Sequence, residues 1–346
     1  MNFLNLYNLC AGISPVEIAF CVTFAFVFLA VGFGLILCRI YKNRKAKNPE
    51  ITATANKENT LDTSKVEEIK KELLDTALNS ISLKFEESGE YKKGATRFGG
   101  TPDIPKDFVW PYFETDTADD KRVKPRPLAF LAQFDLSEIS KLDTDGLLPH
   151  SGTLAFFYEV ASMRGGYERR DKGCAHVYWF QQWEDLHKAE FPEDLPPEYR
   201  FPILGISVKS DKTYIDGEDY YLGRNDYRQT IEAFRAARKQ LGIDYLRSCL
   251  LGYADVIQGN MTSDCELIAR GYNSDEVWND VNFPADELEK IEEGAKEWTL
   301  LFQLSSIDNK DFELEFGKCG KIYFYIRKED LRLKHFDRVW LIQQNL

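Results

Sequence analysis

The chain has 346 residues, 44% of them hydrophobic and 29% charged, with a formal net charge of −12. That apolar content suits one large domain or two ordinary ones and is too high for a disordered chain. The acidic balance argues against a nucleic-acid binder, which usually carries the opposite sign.

Residues 1–15 hold no charged side chain and read as a short external N-terminus. Val16 to Cys38, "VEIAFCVTFAFVFLAVGFGLILC", has no charge after Glu17. Roughly 20 apolar residues cross a bilayer as a helix. A cleaved signal peptide would need a basic start and a shorter apolar run. Arg39, Lys42, Arg44, Lys45 and Lys47 follow at once, and such residues stay on the cytoplasmic side. The expected topology is a single pass through the cell (inner) membrane over 16–38, with the bilayer as partner and the C-terminal domain cytosolic. Residues 39–62 read as a basic, then polar, tether. Residues 1–47 take five of the 44 basic residues and one of the 56 acidic, leaving a net charge of about −16 beyond them.

Seven cysteines are scattered without a CxxC pair. Cys174, Cys249, Cys265 and Cys319 read as free thiols of a reducing compartment. Cys38, at the membrane boundary, is open to acylation.

The folded domain is expected over 63–346. Ser64 and Glu67 have the spacing of a capping box, and Val66, Ile69, Leu73, Ala77 and Leu78 follow as the apolar stripe of a helix. Ile81 to Glu86 alternates as a strand. Further strands are read in "PLAFLAQFDL", "GTLAFFYEV", "HVYWF", "WTLLFQL", "KIYFYI" and "RVWLIQ". Two more helices are expected: Tyr227 to Leu241, closed by Gly242, and Pro284 to Glu293, with Gly294 behind. The predicted class is a strand-rich α+β fold.

The strand motifs pair up. "LAFLAQFDL" at Leu128 matches "WTLLFQLSS" at Trp298, with Gln133 against Gln303. Each is followed by a Gly and an aromatic strand, at Gly152 and Gly320. Each is preceded by a Gly with an Asp three residues on: Gly100 and Asp103, then Gly252 and Asp255. This order predicts an internally duplicated β unit, about Thr96–Val160 and Leu250–Lys328.

These blocks, with "RFGGTPDIP", "LLPHSGTLAFFY", "LLGYADVIQGN" and "FDRVWLIQQ", resemble those of the YwqG family, of mainly bacterial proteins of unknown function. The resemblance covers about Val66 to Gln344 and implies an α+β fold with an internal duplication. It implies no reaction. The apolar helix and tether depart from it, since the family domain is usually soluble.

The stretch "TRFGGTPDIPKDFVWP", Thr96 to Pro111, opens the first unit. Gly99 and Gly100 permit unusual backbone angles, and Pro102, Pro105 and Pro111 fix an extended path. Its apolar residues pin that path to the sheets, or Trp110 and Asp103 line a ligand groove.

Catalytic signals are absent from the sequence. His150, His176, His187 and His335 form no HxH or HxxxH pair, so no metal or cofactor is expected. His150 and Ser151 are neighbours and face opposite ways in extended chain. No GxSxG, P-loop or dinucleotide fingerprint occurs in the domain. "DTDG" at Asp143 lacks the rest of a calcium loop. Gln133 and Gln303 stand out because a buried amide must be hydrogen-bonded. Either each ties down a loop, or the two present amides to a ligand.

The expected function is a membrane-anchored cytosolic binding module for a protein or small ligand, with Asp103, Trp110, Gln133 and Gln303 as candidate ligand residues and no catalytic residue assigned. An alternative is a hydrolase-like enzyme with a cleft between the units, using Asp103, Asp135 or His150. A further alternative is a defence or immunity-type protein that sequesters a partner.

Overall fold

A computed structural model describes residues 62–346 except 90, 182–184, 218–219, 221–226, 244–246, 281–282 and 311. The membrane helix expected over 16–38, and nearly all of the tether, lie outside the described residues. Among the described residues no helix is long and apolar enough to cross a membrane.

Ten strands form one antiparallel sheet. In chain order they are β1 (Leu78–Ser88), β2 (Arg97–Phe98), β3 (Ala129–Asp135), β4 (Thr153–Tyr158), β5 (Ala175–Phe180), β6 (Leu204–Thr213), β7 (Ser248–Leu250), β8 (Trp298–Ser305), β9 (Lys321–Arg327) and β10 (Trp340–Gln344). The spatial order is β10-β9-β8-β7-β1-β6-β2-β3-β4-β5. The long β1–β6 ladder is central, from Leu78 opposite Thr213 to Phe85 opposite Ile206. On either side follow a short strand and a three-stranded meander.

Strands β3, β4, β8 and β9 are buried nearly throughout, as their continuous apolar runs predict. The two meanders face each other. Phe156 of β4 lies 4.7 Å from Phe302 of β8 and 5.1 Å from Phe324 of β9, and Phe134 lies 5.5 Å from Phe302. The large sheet therefore curls until it is nearly closed. The segment after β4 bridges its two ends: the Gln343 N–H donates to the Gly165 carbonyl at 3.0 Å. A Cβ at Gly166 would stand 1.7 Å from the Leu341 carbonyl oxygen, so only glycine admits this approach.

Helices cover the flanks. α1 (Thr63–Asp75) packs Val66, Ile69 and Leu73 against Ala233, Phe234 and Ala237 of a second long helix, Tyr227–Gln240. The capping box at Ser64 is corrected: Asp62 is the N-cap, accepting from the Ser64 and Lys65 N–H groups, because the helix begins two residues earlier, at Thr63. The helix at Ala285–Ala295 contains Gly294 rather than ending at it. A Cβ there would lie 2.3 Å from the Glu266 carboxylate, so the glycine serves close packing and not a C-cap. Leu78 starts β1 instead of extending the helical stripe.

Candidate functional site

Gln133 lies between Ala132 and Phe134 on β3, with 0% of its surface exposed. Its Oε1 accepts from the Asp103 N–H at 3.0 Å. Its Nε2 donates to Asp103 Oδ2 at 2.8 Å and to the Ala95 carbonyl at 3.1 Å. Asp103 Oδ2 also accepts from the Gly94 N–H at 2.8 Å and from Arg97 Nη1 at 2.9 Å. Burial pushes the Asp103 carboxyl up, but Arg97, the Gly94 N–H and the Gln133 amide outweigh it and hold the group below its ordinary value.

Gln303 on β8 is equally buried and makes the same set of bonds. Its Oε1 accepts from the Asp255 N–H at 3.0 Å, and its Nε2 donates to Asp255 Oδ2 at 3.2 Å and to the Arg247 carbonyl at 2.8 Å. The cations differ. Arg247 Nη2 stands 3.6 Å from Asp255 Oδ1, and Lys321 Nζ 3.5 Å from Oδ2. The Tyr323 hydroxyl donates to the Asp255 carbonyl at 2.6 Å. Burial lowers the Lys321 pKa, and Asp255 opposes that shift. Thr153 begins β4 where Lys321 begins β9. Arg97 faces Gln133 across the ladder where Cys249 faces Gln303.

The surroundings match as well. The Gly99 N–H donates to the Leu131 carbonyl at 2.8 Å, and the Leu251 N–H to the Leu301 carbonyl at 3.1 Å. Gly99 and Leu251 both have left-handed backbones, at φ 65° and 61°. The ladders of β3–β4 and β8–β9 slip at corresponding points, Phe130/Ala132 and Leu300/Phe302. The Leu136 and Ser306 N–H groups donate to the Gly152 and Gly320 carbonyls, each at 2.9 Å.

The purpose of "TRFGGTPDIP" follows. Gly99 turns the chain against Phe201 and Pro202, where a Cβ would stand 2.0 Å from the Pro202 carbonyl oxygen. The turn delivers Asp103 to Gln133. The rest of the block, "KDFVWP", serves another surface. His176, Tyr178 and Phe180 alternate along β5 and stack as a row, with ring centres 5.9 and 6.1 Å apart. Phe108 stands edge-on to Tyr178 at 4.9 Å and to Phe180 at 5.6 Å. Trp110 meets Phe157 at 5.4 Å and Phe191 at 6.4 Å, and its Nε1 donates to the Leu128 carbonyl at 2.9 Å. Phe108, Trp110, Tyr178, Phe180 and Phe191 are half-buried, and Val109 between the first two is 82% exposed. Burial lowers the His176 pKa, which favours the neutral ring.

Asp103 and Gln133 thus meet, Gln303 sits in a separate network with Asp255, and Trp110 belongs to the aromatic surface. Both carboxamides are fully engaged with their own loops. Asp135 caps the helix at Leu136–Ile139 through the Ser137 N–H and borders a cavity of about 130 Å³ with Lys93, Gly94 and Thr153. His150 is exposed. A larger depression, about 610 Å³, lies over the start of β1 and the end of β6, lined by Asn79, Thr144, Asp145, Asp211, Lys212 and Tyr214. It includes none of Asp103, Asp135 or His150. The reading of the sequence missed Arg97, Arg247 and Lys321. Their signal was a basic residue beside each Gly–Asp landmark or opening a buried strand.

The fold and its paired carboxamide–carboxylate networks define a strand-rich α+β domain built around one nearly closed sheet. The model of a domain of unknown function (DUF1963) matches residues 96–344. The chain belongs to that family, in keeping with its YwqG resemblance. No curated protein matches it.

Proposed function

We propose that the protein is a membrane-anchored binding module whose recognition face is the aromatic surface around Trp110. The observation that carries this reading is the row of half-buried rings beside the exposed Val109. Aromatic residues of this kind are enriched where proteins dock. A photo-crosslinking side chain placed at Val109 in living cells should give discrete protein adducts that the same group at exposed Glu292 does not. Equal patterns at both positions would remove the reading.

The anchor is residues 16–38, supported by the uncharged run and the basic residues that follow it. Protease added to intact cells should spare the domain, and a reporter fused after Leu346 should be active in the cytosol. Asn260, in the sequon Asn260-Met261-Thr262, stays unglycosylated on this topology. We also read Thr96–Val160 and Leu250–Lys328 as copies of one unit, a reading supported by the matched hydrogen bonds, ladder slips and left-handed turns. Superposing Leu128–Tyr158 on Trp298–Ile326 should bring the two glutamines together, and a mismatch there would refute the copying.

A further inference from the structure

We infer that the occupant of the aromatic surface is an extended protein segment carrying lysine or arginine side chains, a conclusion that rests on the binding reading above. The argument is one of charge and of a contact already present within the chain. The segment from Asp185 to Arg200 borders the rings. Its start is tied to the Asp103–Ile104 strand through His187 and Lys188. Phe191 touches Trp110, and Asp194 accepts from the Tyr112 hydroxyl at 2.9 Å. This segment exposes Asp185, Glu190, Glu193, Asp194 and Glu198, and the aromatic loop adds Asp107. Against these six carboxylates stand Lys106, Lys188 and Arg200. Arg200 is already committed: its guanidinium lies over the Phe191 ring at 5.6 Å, and it donates to the Leu195 carbonyl at 2.9 Å.

That arrangement is an internal sample of the proposed contact, a cation over an aromatic face with acidic neighbours. A cation above a ring is attracted by the ring quadrupole. Carboxylates around an apolar centre steer a cationic partner in and turn an anionic one away. Apolar side chains alternating with the cations would pack on Val109, Phe108 and Tyr178. An acidic or phosphorylated segment would meet net repulsion from the bordering segment, and an anionic lipid surface would meet the same barrier.

The test uses the full-length protein in phosphatidylcholine nanodiscs and a short fluorescent peptide of alternating lysine and valine, read by anisotropy against empty discs. The lysine peptide should bind, and its glutamate counterpart should not. Glu190→Lys with Glu193→Lys should weaken binding about tenfold, and raising salt from about 0.05 M to about 0.3 M should weaken it similarly. Trp110→Ala should weaken it too, with the melting temperature of each variant measured to confirm an intact fold. Binding that ignores the charge reversal, or equal binding of the glutamate peptide, would overturn the inference. If no peptide binds but crosslinks at Val109 persist, the basic-segment assignment falls and the binding face stands. If both fail, both fall.

Discussion

Truncating the two buried glutamines is the sharpest probe of the fold. In Gln133→Ala the Asp103 N–H loses its acceptor, the Ala95 carbonyl loses its nearer donor and keeps Arg97 Nη1 at 3.4 Å, and the Asp103 carboxylate loses one of the donors to Oδ2. Gln303→Ala strips the Asp255 N–H and takes one donor each from the Asp255 carboxylate and the Arg247 carbonyl, which keeps the Ser305 hydroxyl at 2.9 Å. A buried group left unpaired costs about 1–3 kcal/mol, and water entering the void recovers part of it. Each variant should lose about 3–5 kcal/mol, lowering the melting temperature by roughly 6–15 °C for a domain of this size. The double variant should be additive within about 0.5 kcal/mol, since the networks share no residue. Gln133→Glu separates charge from shape: it keeps the bulk but sets a second carboxylate against Asp103, so its deficit should shrink as pH falls. Thermal and urea unfolding measure these changes. Near-native stability in either single variant, or a loss of about 4 kcal/mol in one and under about 1 in the other, would refute the shared role.

Three further outcomes are expected. Gly99→Ala should cost at least about 3 kcal/mol, because its Cβ meets the Pro202 carbonyl oxygen at 2.0 Å, whereas Gly242→Ala, with no atom within 4 Å, should cost only about 1 kcal/mol for its positive φ; urea titration compares them. Burial raises the Asp264 pKa to about 6, with Ser274 and Trp278 opposing. A carboxyl raised in the folded state stabilises most below its unfolded value and loses that contribution as pH rises through about 6. Asp264→Asn should therefore remove up to about 3 kcal/mol of the decline between about pH 4 and pH 6, read from melting curves across that range. A fragment from Asn59 to Leu346 should unfold cooperatively, while one starting at Thr96, where the family match begins, should not fold, because it lacks α1 and the central strand β1; circular dichroism melts decide both.

Much of the sheet was legible because its strands are continuous aromatic and β-branched runs. All six quoted strand motifs are strands. The central β6 was not read, since "LGISVKSDKT" is buried only at its start and ends and mixes charge into an apolar pattern. The short helices Thr262–Ala269 and Ser274–Trp278 were missed because each is too brief to display a period. At the candidate site, a glutamine inside an apolar strand announced a buried amide. What it holds was hidden, because Asp103 is 30 residues from Gln133 and Asp255 is 48 from Gln303. The aromatic row on β5 was visible as "HVYWF", but the loop that covers it joins through tertiary packing alone.

The central place of β1 has a consequence for synthesis. Among the described strands it is made first, yet its neighbours are Leu204–Thr213 and Ser248–Leu250. The meanders β3-β4-β5 and β8-β9-β10 close through links of about 12 to 17 residues, far shorter than the span from β1 to β6, and can zip as soon as each has left the ribosome. β1 has no strand to pair with until more than a hundred further residues have been translated. Until then Ile81, Leu83 and Phe85 stay uncovered in the nascent chain. Non-local pairing of this kind is slow and exposed to aggregation. The first strand thus waits longest for a partner, and it enters the sheet only when Leu204–Thr213 has been made, so a holdase that shields it over that interval would raise the yield of folded protein more than one acting on either meander.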